Sequence, residues 1–259
     1  DEVDLSMEAL RNEQFLDGEL LTSAAENLLK SHKIENAIIL AAGMSTRFVP
    51  LNYETPKGLL KVNDETLIER QIRQLHECGI TEIGIVVGYM KERFEFLRDK
   101  YNVTLIETKD YAERNNHASV LAAKDYLKNT IITSSDLYFS RNIFQTYAYD
   151  SYYCTTFVPG KTAERGTETD SDDKIVSTFY GDKCYDIWVT LGYAFFSREF
   201  SKKIVNYIEK EFDFPETKNK FLFIGTPCQV AAVDKILRKK GIREDCILVD
   251  LICHGVPSY

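Results

Sequence analysis

The chain has 259 residues, 44% of them hydrophobic and 28% charged, which suffices for one large folded domain with an appendage and is too apolar for disorder. Lys and Arg total 32 against 40 Asp and Glu, a net charge of -8, which argues against a surface built to grip nucleic acid yet leaves room for a single nucleotide held through Mg²⁺. No apolar run reaches the ~20 residues that span a bilayer and no basic-then-apolar leader opens the chain, so the expectation is a cytoplasmic protein without membrane insertion.

In chain order, residues 1–33 read as short helices, with Ser23 and Glu26 as a capping box and Leu28 and Leu29 as an apolar stripe. A DNA-reading module would need more basic residues, so this stretch is expected to be a helical appendage; the missing initiator Met implies processing or a cut from a longer product. From Glu35 the pattern becomes strand–helix alternation. Ala37-Ile38-Ile39-Leu40-Ala41-Ala42 is an unbroken apolar run, as a central parallel strand covered on both faces requires. Thr66-Leu67-Ile68-Glu69 opens a helix with Ile68, Ile72 and Leu75 on one face, and Gly79 stops it. Strands follow at 83–87, 103–106 and 130–133, separated by helices at 91–100 and 117–127. The last of these strands runs into Ser134-Ser135-Asp136. The polar, acidic stretch 160–173 reads as a mobile surface loop. Residues 175–179 and 189–196 read as strands, 198–211 as an amphipathic helix, and 221–251 as a βαβ-like piece. The fold class is therefore α/β, an open and mostly parallel Rossmann-like sheet with helices on both faces, whose ligands sit beyond the carboxyl ends of its strands.

Ala41-Ala42-Gly43-Met44-Ser45-Thr46-Arg47-Phe48, followed by Thr55-Pro56-Lys57-Gly58, carries the chemistry. A glycine and small hydroxyl residues directly after a buried strand let the backbone approach phosphate oxygens. Arg47 adds a fork of donors and Lys57 a compact charge. The spacing is not that of a Walker loop. A plain strand–loop–helix turn would explain Gly43 alone, but Gly43, Arg47 and Pro56-Lys57 together favour a phosphate site.

These residues resemble the nucleotidyltransferases that join a nucleoside triphosphate to a phosphorylated small molecule, and within them the bacterial CTP:phosphocholine cytidylyltransferases. The likeness covers about 35–211 and includes Leu67-Ile68-Glu69-Arg70-Gln71, Ile85-Val86-Val87-Gly88-Tyr89, Arg114-Asn115-Asn116-His117, Ser134-Ser135-Asp136-Leu137-Tyr138-Phe139 and Trp188-Val189-Thr190-Leu191-Gly192. The resemblance implies that Ala42, Gly43, Ser45, Thr46 and Arg47 hold the triphosphate, and that Lys57 sits near the α-phosphorus, stabilising in-line displacement electrostatically. It implies Mg²⁺ on Asp136, and Gly88, Asn115, Asn116 and Ser119 near the base of CTP. For a quaternary ammonium acceptor such as phosphocholine, Tyr152, Tyr153, Trp188 and Tyr193 are the candidate rings, each equally readable as core, while Glu168 or Asp186 could add charge. His117 is a lesser ligand candidate. His76 reads as packed or surface, and His32 carries no signal. A sugar 1-phosphate acceptor is the alternative within the same chemistry, and nothing in the sequence specifies an oligomeric state.

The resemblance breaks after residue 211. The strand that supplies a second metal-binding Asp in the family is not found, although Asp250 ends an apolar strand. Instead Phe221-Leu222-Phe223-Ile224-Gly225-Thr226-Pro227-Cys228-Gln229 and Asp250-Leu251-Ile252-Cys253-His254-Gly255-Val256-Pro257 resemble the beta subunits of deazaflavin-dependent hydrogenases and related iron–sulfur flavoproteins. Cys228, Cys246 and Cys253 fall short of the four thiolates a cubane cluster takes, so the six cysteines are expected to be free thiols. The expected division is a helical appendage at 1–34, a nucleotidyltransferase domain at 35–215 and a fragment of another family at 216–259, either a natural fusion cut short or two joined reading frames. The missing carboxylate and the foreign tail keep two other readings open: a catalytically incomplete nucleotide-binding protein and a piece of a redox module.

Overall fold

The computed structural model describes residues 2–43, 54–108, 116–179, 184–212, 221–225 and 246–250. Helix α1 (Glu2–Asn12), a short hairpin of β1 (Leu16–Asp17) and β2 (Leu20–Leu21), and α2 (Ser23–His32) lead into β3 (Asn36–Ala41). A 3-10 turn at Lys57–Leu59 precedes the hairpin β4 (Lys61–Val62) and β5 (Glu65–Thr66), then α3 (Leu67–Glu77), β6 (Ile83–Val87), α4 (Glu95–Tyr101), β7 (Thr104–Glu107), α5 (Asn116–Ala122) and β8 (Thr130–Ser134). Four strand segments follow, β9 (Tyr152–Lys161), β10 (Gly166–Thr169), β11 (Ile175–Phe179) and β12 (Tyr185–Phe196), then α6 (Arg198–Phe212), and last β13 (Phe221–Gly225) and β14 (Cys246–Asp250), which pair in parallel.

The main sheet has eight strands in the order β11-β10-β12-β8-β3-β6-β7, with β9 also paired to β12. Its core is parallel: β3 pairs with β6 and β8, and β6 with β7. Beyond β8 the sheet becomes antiparallel, through β12 and its partners β9 and β10, and on to β11. The apolar run of β3 explains why it is central. Ala37, Ile39 and Ala41 pack with Ile68, Ile72, Leu75, Phe94 and Leu97 from α3 and the α4 region, whereas Ile38 and Ala42 pack on the opposite face with Val86, Ile106, Ala123 and Ile132. A strand sandwiched between two apolar layers has no face for polar side chains, which makes its sequence continuous rather than alternating.

Helix α3 starts as its capping residues require. The Thr66 hydroxyl accepts from the Glu69 amide at 3.3 Å and donates to the Glu69 carboxylate at 2.7 Å. The helix ends in a Schellman arrangement, with the Gly79 amide donating to His76 O and the Ile80 amide to Leu75 O. The cap of α2 is Thr22 rather than Ser23, because Thr22 holds the extended backbone (φ -75°, ψ 163°) and accepts from the Ala25 amide. The stretch 160–173 is not a free loop. Its first two residues end β9 and 166–169 form β10, which leaves 162–165 and the turn after Thr169, where Asp170 accepts from the amides of Asp172 and Lys174. The helix expected at 117–127 is divided into α5 and a 3-10 turn at Lys124–Tyr126.

Candidate active site

Strand order reverses at β3: the chain runs outward from it through β6 and β7 and then returns to place β8 on its other side, and such a reversal opens a crevice at the carboxyl ends of the strands. Three segments leave the sheet there: Ala42-Gly43 after β3, Gly88 after β6, and Ser135-Asp136 after β8. They are tied to one another through the backbone, since the Tyr89 amide donates to Ala42 O at 3.3 Å and the Ser135 amide to Leu40 O at 3.0 Å. Ala42 is buried, Gly43 is exposed with open space where a side chain would be, and Gly88 is buried.

Lys57 and Asp136, 79 positions apart in the chain, meet at this edge with Nζ and Oδ2 3.3 Å apart. The lysine side chain is 16% exposed and the aspartate side chain 42%, so the carboxylate faces solvent while the amine is largely covered. Two glycines make this approach feasible. A Cβ on Gly58 would lie 2.8 Å from Ser135 Cβ, and one on Gly192, whose φ is +57°, would lie 2.9 Å from Ser134 Oγ. The turn carrying Asp136 is thus gripped between the Lys57–Leu59 turn and a bulge of β12.

From below, α3 holds the same turn. Gln71 is fully buried and its amide nitrogen donates to both Ser134 O and Leu137 O at 2.9 Å. Arg70 donates to Phe139 O at 2.7 Å and Ser140 O at 2.8 Å and lies over the Tyr138 ring, and Gln74 donates to Phe139 O at 3.2 Å. The sequence reading did not single out these three for the site. The available signal was amide side chains at 71 and 74 among the apolar positions Ile68, Ile72 and Leu75, where burial demands hydrogen-bond partners.

Of the expected nucleotide residues, Ala42, Gly43, Gly88, Lys57 and Asp136 converge at the crevice; Asn116 opens α5, and Ser119 is a buried residue of that helix. Ser45, Thr46, Arg47 and Asn115 lie outside the described residues, as do Cys228 and Cys253. The four candidate acceptor rings do not form one cage. Tyr193 is 2% exposed, packs edge-on against Phe139 and Phe144, and shares a hydroxyl–hydroxyl hydrogen bond of 3.0 Å with Tyr152. Burial raises the pKa of both phenols. These two rings belong to the core because they project from β9 and β12 toward the packed face. Tyr153 is exposed, and Trp188 is 54% exposed and meets Phe157 edge-to-face at 5.7 Å. Glu168 accepts from Ser177 and Asp186 from the Gly160 amide. His32 stacks on Tyr149.

No group of three or more His, Cys, Asp or Glu is arranged to hold a metal among the described residues. Asp136 nevertheless offers a partly exposed hard oxygen, which fits Mg²⁺, an ion that takes one or two carboxylates and completes its shell with water and phosphate oxygens. Cys78, Cys154 and Cys184 are free thiols, and burial pushes Cys154 up to about 11, which makes it a poor nucleophile. No helix of the described residues is long and apolar enough to cross a membrane.

Residues 37–208 match the MobA-like NTP transferase domain. The chain belongs to this family. Within it the transferase resembles cytidylyltransferases. It is 37% identical over 176 residues to the choline-phosphate cytidylyltransferase of Streptococcus pneumoniae, spanning 68% of this chain and 76% of that one. It is 36% identical over 192 residues to the 2-aminoethylphosphonate cytidylyltransferase of Lancefieldella rimae, spanning 73% and 76%. The solved structure of the CTP:phosphocholine cytidylyltransferase from Streptococcus pneumoniae superposes with a TM-score of 0.62 at 30% identity, covering 85% of the transferase and 91% of that chain. Residues 218–259 match the C terminus of the coenzyme F420 hydrogenase/dehydrogenase beta subunit.

Proposed function

We propose that the protein transfers CMP from CTP to a small phosphorylated amine, phosphocholine first among them, releasing pyrophosphate with Mg²⁺ as cofactor. The carrying observation is the meeting of Lys57 and Asp136 at the carboxyl edge of the parallel strands, 3.3 Å apart. Attack of the acceptor phosphate on the α-phosphorus builds negative charge on its equatorial oxygens. Lys57, held on the rigid 3-10 turn behind Pro56, would follow that charge without reorganising. Asp136 would hold Mg²⁺ together with the nucleotide's own phosphate oxygens. When bound, Mg²⁺ supplies charge neutralisation on the leaving pyrophosphate. Ala42, Gly43 and the loop bearing Ser45, Thr46 and Arg47 would receive the triphosphate, and Gly88, Asn115, Asn116 and Ser119 the pyrimidine.

The likeness to relatives named for choline phosphate and for 2-aminoethylphosphonate supports a cationic acceptor of this size. Trp188 and Tyr153 are the exposed rings among the four, and a cation–π contact with such a cation would be worth ~0.5–2 kcal/mol each. A second reading, 2-aminoethylphosphonate as acceptor, is favoured by the core placement of Tyr152 and Tyr193. A primary ammonium needs hydrogen-bond acceptors more than a complete aromatic cage.

Pyrophosphate release from CTP, UTP, dTTP and ATP against phosphocholine, 2-aminoethylphosphonate and glucose 1-phosphate tests the reading. CTP with an amine-bearing acceptor is expected to give the highest kcat/KM, with no turnover after EDTA. Preference for UTP or dTTP with the sugar phosphate would overturn the acceptor assignment.

A further inference from the structure

We propose that Gln71 is a positioning residue for the Asp136 carboxylate and so sets the metal affinity of the site; the inference rests on the metal role of Asp136 proposed above. The side-chain amide of Gln71 has no exposure to solvent and all of its hydrogen bonds converge on one turn. Its nitrogen donates to the carbonyls of Ser134 and Leu137, which stand on either side of Ser135-Asp136. Its oxygen accepts from the Thr133 hydroxyl at 3.0 Å, and that bond fixes which end of the amide faces the turn. A single planar group therefore clamps residues 133, 134 and 137, leaving Asp136 at the apex of a closed loop.

On the other two sides Gly58 and Gly192 let neighbouring segments close on Ser135 and Ser134, and Lys57 Nζ meets the carboxylate itself at 3.3 Å. Gln71 is the side chain whose hydrogen bonds hold the backbone on both sides of Asp136. Nearby Gln74 makes a useful contrast: it is also buried, but it donates one bond of 3.2 Å to Phe139 O, beyond the carboxylate, and its oxygen has no partner. Outer groups that orient a metal ligand commonly alter metal affinity by 10–100-fold when removed. The geometry assigns that property to Gln71 and not to Gln74.

The test uses the full chain with Mn²⁺ as the probe, the free ion being measured by electron paramagnetic resonance in the presence of a non-hydrolysable CTP analogue. Gln71→Leu is expected to raise the Mn²⁺ dissociation constant about 10–100-fold and the half-saturating Mg²⁺ in turnover by a similar factor. The KM for CTP at saturating metal is expected to stay near the wild-type value. Gln74→Leu, which removes one bond to a carbonyl beyond the carboxylate, should shift both metal constants far less than Gln71→Leu does. Thr133→Val, which frees the amide to rotate, should shift Mn²⁺ binding in the same direction as Gln71→Leu by a smaller factor. Wild-type metal binding in a folded Gln71→Leu protein would overturn the proposal. Should Gln71→Leu fail to fold, wild-type metal binding in Thr133→Val overturns it. Absence of nucleotide-dependent Mn²⁺ binding in the wild type would instead remove the metal reading of Asp136, a result distinguishable from failure of Gln71 alone.

Discussion

The two halves of the main sheet bury their side chains differently. In the parallel half, β3, β6 and β8 have almost no exposed residue: Ile39, Ile85 and Ile131 are all at 0% exposure. In the antiparallel half, Phe157, Val176, Tyr185 and Trp188 stand between 47% and 63% exposed. Helices cover the parallel strands on both faces, so that half is a rigid frame able to hold Lys57 and Asp136 in register. The antiparallel half has one open face, and on it exposed aromatic side chains are available to a ligand. The proposed function draws its nucleotide chemistry from the first half and its acceptor selection from the second.

The sharpest break of this assignment is Asp136→Asn. With Asp136 as the proposed metal ligand, its loss should cost the transition state several kcal/mol and cut kcat by about 10³-fold. Melting temperature should barely change, because the Asp136 side chain is 42% exposed. Full activity in this variant would remove Asp136 from the chemistry. Lys57→Ala is expected to cost about 10²–10³-fold in kcat, read by pyrophosphate release.

Ile85→Ala, in the middle of the frame, should instead act on folding, lowering stability by about 2–5 kcal/mol in urea denaturation. Next in size, Trp188→Ala should raise the acceptor KM about 2- to 30-fold, the range of one cation–π contact, with the CTP KM unmoved. An unchanged acceptor KM would leave the open face without a role in selection.

The smallest effect concerns acid. Burial alone would raise the Glu69 pKa, but hydrogen bonds from Lys100, Thr66 and Tyr101 outweigh it and hold the carboxyl below its ordinary 4.5. The stabilisation is fully present above pH 4.5 and is lost as pH falls through the lower native value. Glu69→Gln should therefore flatten the acid side of a melting-temperature profile and change little in its slope at neutral pH.

How much of this was legible beforehand differs between the same two halves. The parallel strands were readable because burial on both faces writes an unbroken apolar run, as at Ala37 to Ala42. The segment 160–173 was misread because Thr167, Glu168 and Thr169 carry no such run. Their extended form comes from pairing with β11, while Gly166 just before them pairs with β12, and both are long-range facts. The α2 cap moved from Ser23 to Thr22 because two cap-forming residues are adjacent and only backbone geometry chooses between them. At the site, Gly43, Lys57 and Asp136 were identifiable as chemistry. Gln71 was not, since an amide in a helix looks like surface until its partners are seen.

By itself the sequence determined the residue types needed for phosphoryl-transfer chemistry and the strand–helix rhythm that orders them, because both are carried by spacing within a few turns of chain. Only the tertiary structure decided that Lys57 meets Asp136, that Gln71 clamps the turn carrying Asp136, and that Tyr193 is core while Trp188 faces solvent. Those facts depend on which strands lie side by side and on which face each side chain emerges, and both follow from packing of the whole sheet rather than from any local run.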